Sequence, residues 1–366
     1  MNKICQALLL SAAVATVLTA CGPTPVTPAA TSTATPTPTA TPVATVIEAP
    51  WPAIDVDCGD LVSAATLGGL FTSGIAEVDP ERTSIEAANN IPYKYAVEQL
   101  GGIACEWSNG QPQSTKTGDN PAYKGTAVTI APVSAAAWTE FASYYGLAGD
   151  RQVYCFDDCY ADLFVGGRWW VEVSLEATDA GAPLSEFTAQ VAAIEAAIVA
   201  ASPVAAGWTA PDGTVALGTC ETLLPAAVVQ SALATAAPLV ASPPYGGVSL
   251  DGTARSALDA LWCNFMPTDA DATAGTMHWL PGGEWAFNEA RTFGLIDAPL
   301  EAIDVAGLEA GDSAWLRCPA SGGCTVDLIV GHNWIQFARQ SDDVPSTADR
   351  RTALLAIAAS IVDSVR

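Results

Sequence analysis

The sequence predicts an α+β protein built of two tandem homologous domains, each an antiparallel sheet with helices packed on one face and two internal disulfides. Three observations carry this. Beyond residue 50, four cysteines recur in the same order in each half, the last two always close together. Short β-branched and aromatic runs around glycine turns recur in the same order too, as expected of strands joined by tight turns rather than crossover helices. Each half then closes on an alanine-rich run with Leu, Ile and Val at helical spacing.

The halves align as copies. Asp57-Cys58-Gly59-Asp60-Leu61 answers Thr219-Cys220-Glu221-Thr222-Leu223, Cys105-Glu106-Trp107 answers Cys263-Asn264-Phe265, and Trp138 answers Trp285. The longest match sets Asp162-Leu163-Phe164-Val165-Gly166-Gly167-Arg168-Trp169 against Asp327-Leu328-Ile329-Val330-Gly331-His332-Asn333-Trp334. Val191-Ala192-Ala193-Ile194 then answers Leu354-Leu355-Ala356-Ile357. The first repeat covers 51–203, the second 208–366, and Pro203-Val204-Ala205-Ala206-Gly207 is the hinge.

The elements follow in one order. A helix opens after the first cysteine, with Asp57 or Thr219 as N-cap. A shorter helix comes next and in the first repeat ends at Gly101-Gly102. A strand holds the second cysteine, and another spans 126–130 or 276–280. The helix around Trp138 or Trp285 closes on Gly146 or Gly294. Two strands about a glycine turn, 161–165 with 169–173 and 326–330 with 334–337, precede the closing helix.

The N-terminus reads as a signal peptide over 1–20. Lys3 is its positive charge, and the apolar run from Ile4 to Leu18 is too short to span a bilayer. Leu18-Thr19-Ala20-Cys21 resembles the lipobox of bacterial lipoproteins, which implies lipidation of Cys21 and a protein held on the outer face of the cytoplasmic membrane. Two or more acyl chains anchor stably, at ~0.8 kcal/mol per buried CH₂. Residues 21–50 are a Thr/Pro-rich disordered linker with Glu48 its only charge. In polyproline-II geometry it reaches on the order of 90 Å. Losing residues 1–20 removes Lys3 and no acid, so the formal net charge moves from −25 to −26. That balance excludes nucleic acid and leaves the lipid as the only membrane contact.

Of ten cysteines, Cys5 leaves with the signal peptide and Cys21 carries lipid. Cys58, Cys105, Cys155, Cys159, Cys220, Cys263, Cys318 and Cys324 remain, an even set that outside the cell reads as disulfides. Residues facing each other at a turn meet the ~5.5–6 Å Cα separation a disulfide prefers. The late cysteines are therefore paired with each other, Cys155–Cys159 and Cys318–Cys324, leaving Cys58–Cys105 and Cys220–Cys263. In the chain-entropy model the long bridges contribute ~4 kcal/mol each and the short ones ~2. Zinc would want four ligands, yet only His278 and His332 stand beside the cysteines and acids. Redox chemistry wants two intervening residues and a positive setting, whereas Asp157 and Asp158 lie inside the first short loop.

No cofactor, metal or catalytic residue is assigned. The sequence has no Gly-x-Ser-x-Gly, His-Glu-x-x-His, P-loop or Gly-x-Gly-x-x-Gly motif. His278 falls in a strand and His332 in a turn, and neither has a histidine counterpart in the first repeat. The 39 acids could supply a glycosidase pair, but their spacing singles out none. Of the eleven tryptophans, Trp169, Trp170, Trp279, Trp285 and Trp334 cluster on or beside the expected strands. Such rings at the rim of a sheet suit sugars, peptides or lipid tails; the competing expectation is that they fill the core beneath the helices. Trp170 is the exception, because alternation sets it on the opposite face from Trp169.

The Asp-Cys pair at a helix start, the run Gly101-Gly102-Ile103-Ala104-Cys105-Glu106-Trp107 and the late cysteine pair before a hairpin resemble actinobacterial secreted and lipoprotein domains of unknown function. The cysteine order is similar to that of the ectodomains of mycobacterial receptor serine/threonine kinases. This resemblance covers both repeats and implies an α+β module with two internal disulfides and a groove that senses a ligand; it brings no catalytic residues. The chain departs from those receptors in having no transmembrane helix and no kinase. The expectation is a non-catalytic binding or sensing lipoprotein of the cell envelope, its partner a small ligand, a glycan or an envelope protein. A structural subunit holding a partner in the wall is the alternative, and an envelope hydrolase the third. Features shared by both repeats, namely the cysteines, Asp162 with Asp327, Gly166 with Gly331 and Trp169 with Trp334, belong to folding. A ligand site is expected where the repeats differ or in the cleft between them, with the loops 108–121 and 239–252 as candidates.

Overall fold

A computed structural model describes residues 47–72, 74–78, 91–115, 118–176, 184–204, 208–215, 218–243, 248–269, 272–292, 300–318, 323–339 and 349–366. The signal peptide, Cys21, the linker up to residue 46 and Gly294 lie outside the described residues, as do hinge residues 205–207. Both repeats belong to one compact unit, 44–366.

The protein is α+β with two antiparallel sheets. In the first repeat, α1 (Cys58–Leu61) and α2 (Ala64–Leu70) precede β1 (Ala76–Val78). Then come α3 (Ile91–Lys94), α4 (Ala96–Gln99), β2 (Ile103–Ser108) and a small ribbon of β3 (Ser114–Thr115) with β4 (Gly118–Asp119). β5 (Gly125–Pro132), α5 (Ala135–Tyr145), β6 (Arg151–Cys155), β7 (Cys159–Val165), β8 (Trp169–Glu176) and α6 (Leu184–Ala200) complete it. The second repeat runs α7 (Cys220–Leu223), α8 (Ala226–Leu233), β9 (Leu239–Ser242), α9 (Leu250–Ala257), β10 (Leu261–Pro267), β11 (Gly275–Leu280) and α10 (Glu284–Thr292). It ends with β12 (Glu301–Ala302), β13 (Ser313–Arg317), β14 (Thr325–Val330), β15 (Asn333–Ala338) and α11 (Arg350–Val365).

The six-stranded sheet is ordered β1-β2-β5-β8-β7-β6, and the seven-stranded sheet, read from its far edge, β9-β10-β11-β15-β14-β13-β12. These are the same topology with one edge strand added, so the duplication is a duplication of fold. The edge strands β1, β6, β9 and β12, and β13 next to the edge, carry too weak an alternation to be read from the sequence. Gly146 closes α5 in the left-handed region (φ +66°), as its place after the helix predicts. Thr219 caps α7, its hydroxyl accepting from Thr222 N. Asp57 does not repeat this: it stands at the N-cap with extended backbone, but its side chain makes no cap hydrogen bond.

The four expected disulfides form: Cys58–Cys105, Cys155–Cys159, Cys220–Cys263 and Cys318–Cys324. The long pairs tie the first helix of each repeat to its second-cysteine strand at Cα separations of 5.6 and 5.7 Å. The short pairs sit closer, at 4.0 and 4.3 Å. Cys155 and Cys159 are themselves directly opposed ladder partners, which explains the closer approach.

Three apolar clusters hold the molecule. In the first repeat α1, α2 and α6 bury one sheet face over Val128, Ile130, Leu163, Trp169, Val171 and Val173. α8 and α11 do the same in the second over Phe265, Met277, Val326, Leu328 and Phe337. These are the helix-covered faces the sequence predicts. The opposite faces, on which the sequence is silent, close on a third cluster shared by the repeats: Tyr95, Val97, Trp138, Phe141 and Trp170 from the first, with Leu250, Trp285, Phe287 and Trp334 from the second. Trp170 is fully buried there, which corrects its reading as a tryptophan outside the core. It does face away from Trp169; the second face is simply covered as well.

The shared cluster is woven across the repeats. α3 packs on β11 and β15 of the second repeat, while α9 packs on α4 and on β8 of the first. Tyr95 lies edge-on to Trp285 at 5.4 Å. Buried Gln99 accepts from Trp285 Nε1 (3.0 Å) and donates to the Pro281 carbonyl (2.6 Å). Gln99→Ala would leave both partners dry and unpaired, an expected loss of about 2 kcal/mol by urea unfolding, with Gln99→Glu no better. Close approach at the end of α4 explains one glycine: a Cβ on Gly102 would lie 2.4 Å from the Ile130 carbonyl oxygen.

The hairpin register corrects the alignment of the repeats. In the first, Val165 pairs with Trp169 across the three residues Gly166, Gly167 and Arg168. In the second, Val330 pairs with Asn333 across only Gly331 and His332. The extra residue shifts the match, so Trp170, not Trp169, is the counterpart of Trp334. The hydrogen bonds agree: Trp170 Nε1 donates to Asp162 Oδ1 (3.1 Å) and Trp334 Nε1 to Asp327 Oδ1 (3.0 Å).

Candidate binding site

Strand alternation places two sets of side chains on the first repeat's sheet. Residues 159, 161, 163 and 165 of β7 and 169, 171, 173 and 175 of β8 face the repeat's own helices and are buried. The other set faces the second repeat. At one end Ala131, Phe164 and Trp170 enter the shared cluster. At the other, Ala127, Thr129, Tyr160, Asp162, Glu172 and Ser174 line a cavity of about 410 Å³. Phe141 and Tyr145 of α5, Gln152 and Tyr154 of β6, Gln113, and Val248 and Ser249 before α9 close its sides. A volume of this order suits one small organic molecule. The two candidate loops therefore meet here, Gln113 from 108–121 and Ser249 from 239–252. The larger hollow between the repeats, about 810 Å³, also draws on Pro243, Val248 and Ser249 but is lined mostly by small side chains.

The floor of the cavity is acidic. Asp162 and Glu172 are directly opposed on β7 and β8, which sets their Cβ atoms ~5 Å apart. Asp162 accepts from Trp170 Nε1, and Glu172 Oε1 accepts from Leu250 N at the start of α9 (3.1 Å). Neither carboxylate has an ion-pair partner among the described residues. Burial raises the Asp162 pKa above the ordinary carboxylate range. Burial first, then the charges of Asp251 and Asp162, push Glu172 up to about 8. Burial, then Asp162, likewise raises the Tyr154 hydroxyl. The rim is aromatic: Tyr154 lies 5.7 Å from Tyr160 and 5.9 Å from Phe156. Phe156, at the tip of the loop locked by Cys155–Cys159, is 85% exposed. Tyr144 and Tyr145, in the last turn of α5, are exposed.

Glu172 makes stability depend on pH. The groups facing it are Asp162 across the ladder, Tyr154 on β6 and Asp251 on α9. Its folded pKa lies above the ordinary 4.5, so between pH 4.5 and 8 the folded state holds a proton that the unfolded state releases. This contribution therefore falls as pH rises through that window. Glu172→Gln should gain about 2–3 kcal/mol over the wild type at pH 8.5 and nothing at pH 4.5, read as the difference of two urea unfolding series. A difference independent of pH would contradict the buried-carboxyl account.

The same face of the second repeat is built differently. Strand register makes Asp327 the counterpart of Asp162, Gln336 of Glu172, His278 of Thr129, and Arg317 of Tyr154. Here β11, β14 and β15 are buried on both faces. Arg317 Nε lies 3.7 Å from Asp327 Oδ2, and Gln336 Nε2 donates to Asp327 Oδ1 (2.9 Å). His278 is fully buried beside the Trp262 ring (5.1 Å), and burial holds its pKa down to about 3, so it is neutral. His332 sits in the hairpin turn at φ +66° with Nδ1 2.7 Å from Glu284 Oε2.

Trp169, Trp170, Trp279, Trp285 and Trp334 are all buried, so these five form no binding surface; tyrosines line the cavity instead. Glu172 was not singled out in the sequence. Its signal was available as the alternating acids 172 and 176 on a strand whose second-repeat counterpart carries Gln336. The molecule is thus a duplicated, disulfide-braced α+β protein with one open acidic, tyrosine-lined cavity on its first sheet. Comparison of the chain with protein-family models, with curated proteins and with solved structures returns no match.

Proposed function

We propose that this protein is an extracytoplasmic lipoprotein, anchored in the cell membrane through Cys21, whose folded part binds a ligand in the cell envelope without catalysis. The observation that carries the reading is the cavity over Asp162 and Glu172, open in one repeat and packed solid in the other. A duplicated fold keeps in both copies what folding needs, and a polar cavity kept in one copy adds nothing to stability. The apolar segment before Cys21, the long linker and the likeness to sensor ectodomains support placing it outside the cell. The binding reading is tested by hydrogen exchange of the full-length protein against envelope extracts and defined glycans. Protection confined to 152–162, 172–176 and 248–250 is expected, and protection elsewhere would count against it.

An envelope hydrolase is the reading the same acid pair supports next. Glycoside hydrolysis needs carboxyl groups flanking the scissile bond, whereas Asp162 and Glu172 stand side by side on one wall. Turnover of glycan substrates that Glu172→Gln abolishes would favour it. Anchoring is tested separately. Cys21→Ser should be lost from the membrane fraction or left unprocessed, since no described helix is long and apolar enough to cross a membrane. A cleaved, wash-resistant membrane form of that variant would sink the lipid anchor.

A further inference from the structure

The two repeats serve as each other's control at the acidic position. Both place an aspartate on the same strand, and in both a tryptophan indole donates to its Oδ1. In the second repeat Arg317 lies against the other carboxylate oxygen, and the assembly is sealed: Asp327 is 0% and Arg317 6% exposed. In the first repeat the arginine is replaced by Tyr154 and the neutral Gln336 by Glu172. The site has lost one positive charge and gained one negative, and in place of sealed packing it has a cavity. The fold thus holds a cation against the aspartate in one copy and, among the described residues, sets none against the matching acids in the other.

We propose that the first-repeat cavity binds a small organic cation whose guanidinium or ammonium group sits against Asp162, as the guanidinium of Arg317 sits against Asp327 in the second repeat, with Glu172 beside it. The surroundings fit that class. Tyr145, Tyr154 and Tyr160 line the cavity, and aromatic rings attract cations in the way that recognises alkylammonium groups. Gln152, Ser174 and Ser249 can hydrogen-bond the rest of the molecule. Ser249 lies on the segment leading into α9, so the second repeat contributes to the wall of a site based on the first.

This inference rests on the cavity being a binding site, and the experiment separates the two. The full-length protein in detergent and EDTA is titrated calorimetrically with agmatine and choline, and with glucose as a neutral probe of similar size. Agmatine or choline is expected to bind, at least 10-fold more weakly to Glu172→Gln. At pH 7 binding should release protons, because a cation beside Glu172 favours its ionised form; buffers of different ionisation enthalpy read this directly. Tyr154→Arg should abolish binding by rebuilding the second repeat's arrangement, with an unchanged near-ultraviolet circular dichroism spectrum reporting the fold. Equal affinity in the wild type and Glu172→Gln would overturn the cation site. Glucose binding without agmatine or choline binding would overturn the cation class but leave a ligand cavity, and silence from all three would remove the support for both.

Discussion

Trp334→Ala is expected to cost about 3–5 kcal/mol of folding stability, against a total of roughly 5–15 for a typical domain. The ring is fully buried, lies 5.4 Å from Phe287 and 6.0 Å from Tyr95, and its indole nitrogen donates to Asp327. Truncation therefore opens a large cavity and takes a donor from a buried carboxylate. Trp170→Ala should fall in the same range, since Trp170 packs on Trp138 and Phe141 at 5.5 and 4.3 Å and donates to Asp162. Tyr95 belongs to the first repeat and Trp334 to the second, so each variant should lower one common transition rather than free one repeat to melt early. Urea unfolding followed by far-ultraviolet circular dichroism, disulfides intact, measures this. A loss under about 1 kcal/mol for Trp334→Ala would show that the shared cluster is not a true core.

Asp327→Ala is expected to be as damaging, about 3–5 kcal/mol, because it strands a charge. Asp327 is fully buried, and the side chain of Arg317 is only 7% exposed, with Asp327 its one ion-pair partner among the described residues. Removing one member of a buried pair leaves the other charge with its full desolvation cost. Asp327 also accepts from Trp334 and Gln336, so two donors are orphaned as well. The equivalent Asp162→Ala should cost only about 1 kcal/mol, since Asp162 borders the cavity, has no buried cation to strand among the described residues and leaves Trp170 alone unpaired. Adding Arg317→Met to Asp327→Ala should recover much of the loss. If the double variant were no more stable than the single one, the stranded-charge account would be wrong.

Local rules carried the fold a long way in the sequence itself. Cysteine order, glycine turns and strand alternation are properties of chain segments a few residues long, so they fixed the α+β class, the two repeats and all four disulfide pairings. The aspartates, the turn glycines and the burial of Trp169 and Trp334 were legible for the same reason. What failed was anything set by more than one segment at a time. A single extra residue in the 166–168 turn displaced the equivalence of Trp170 and Trp334, which only hydrogen-bond register reveals. The burial of Trp170 and the weaving of α3 and α9 across the repeats depend on two sheets facing each other, and alternation names a face without naming what covers it. The acidic cavity is the extreme case. Asp162 and Glu172 are ten residues apart on different strands, Tyr145 comes from a helix and Ser249 from the other repeat, and it is their packing, not any motif, that makes one repeat hollow and the other solid.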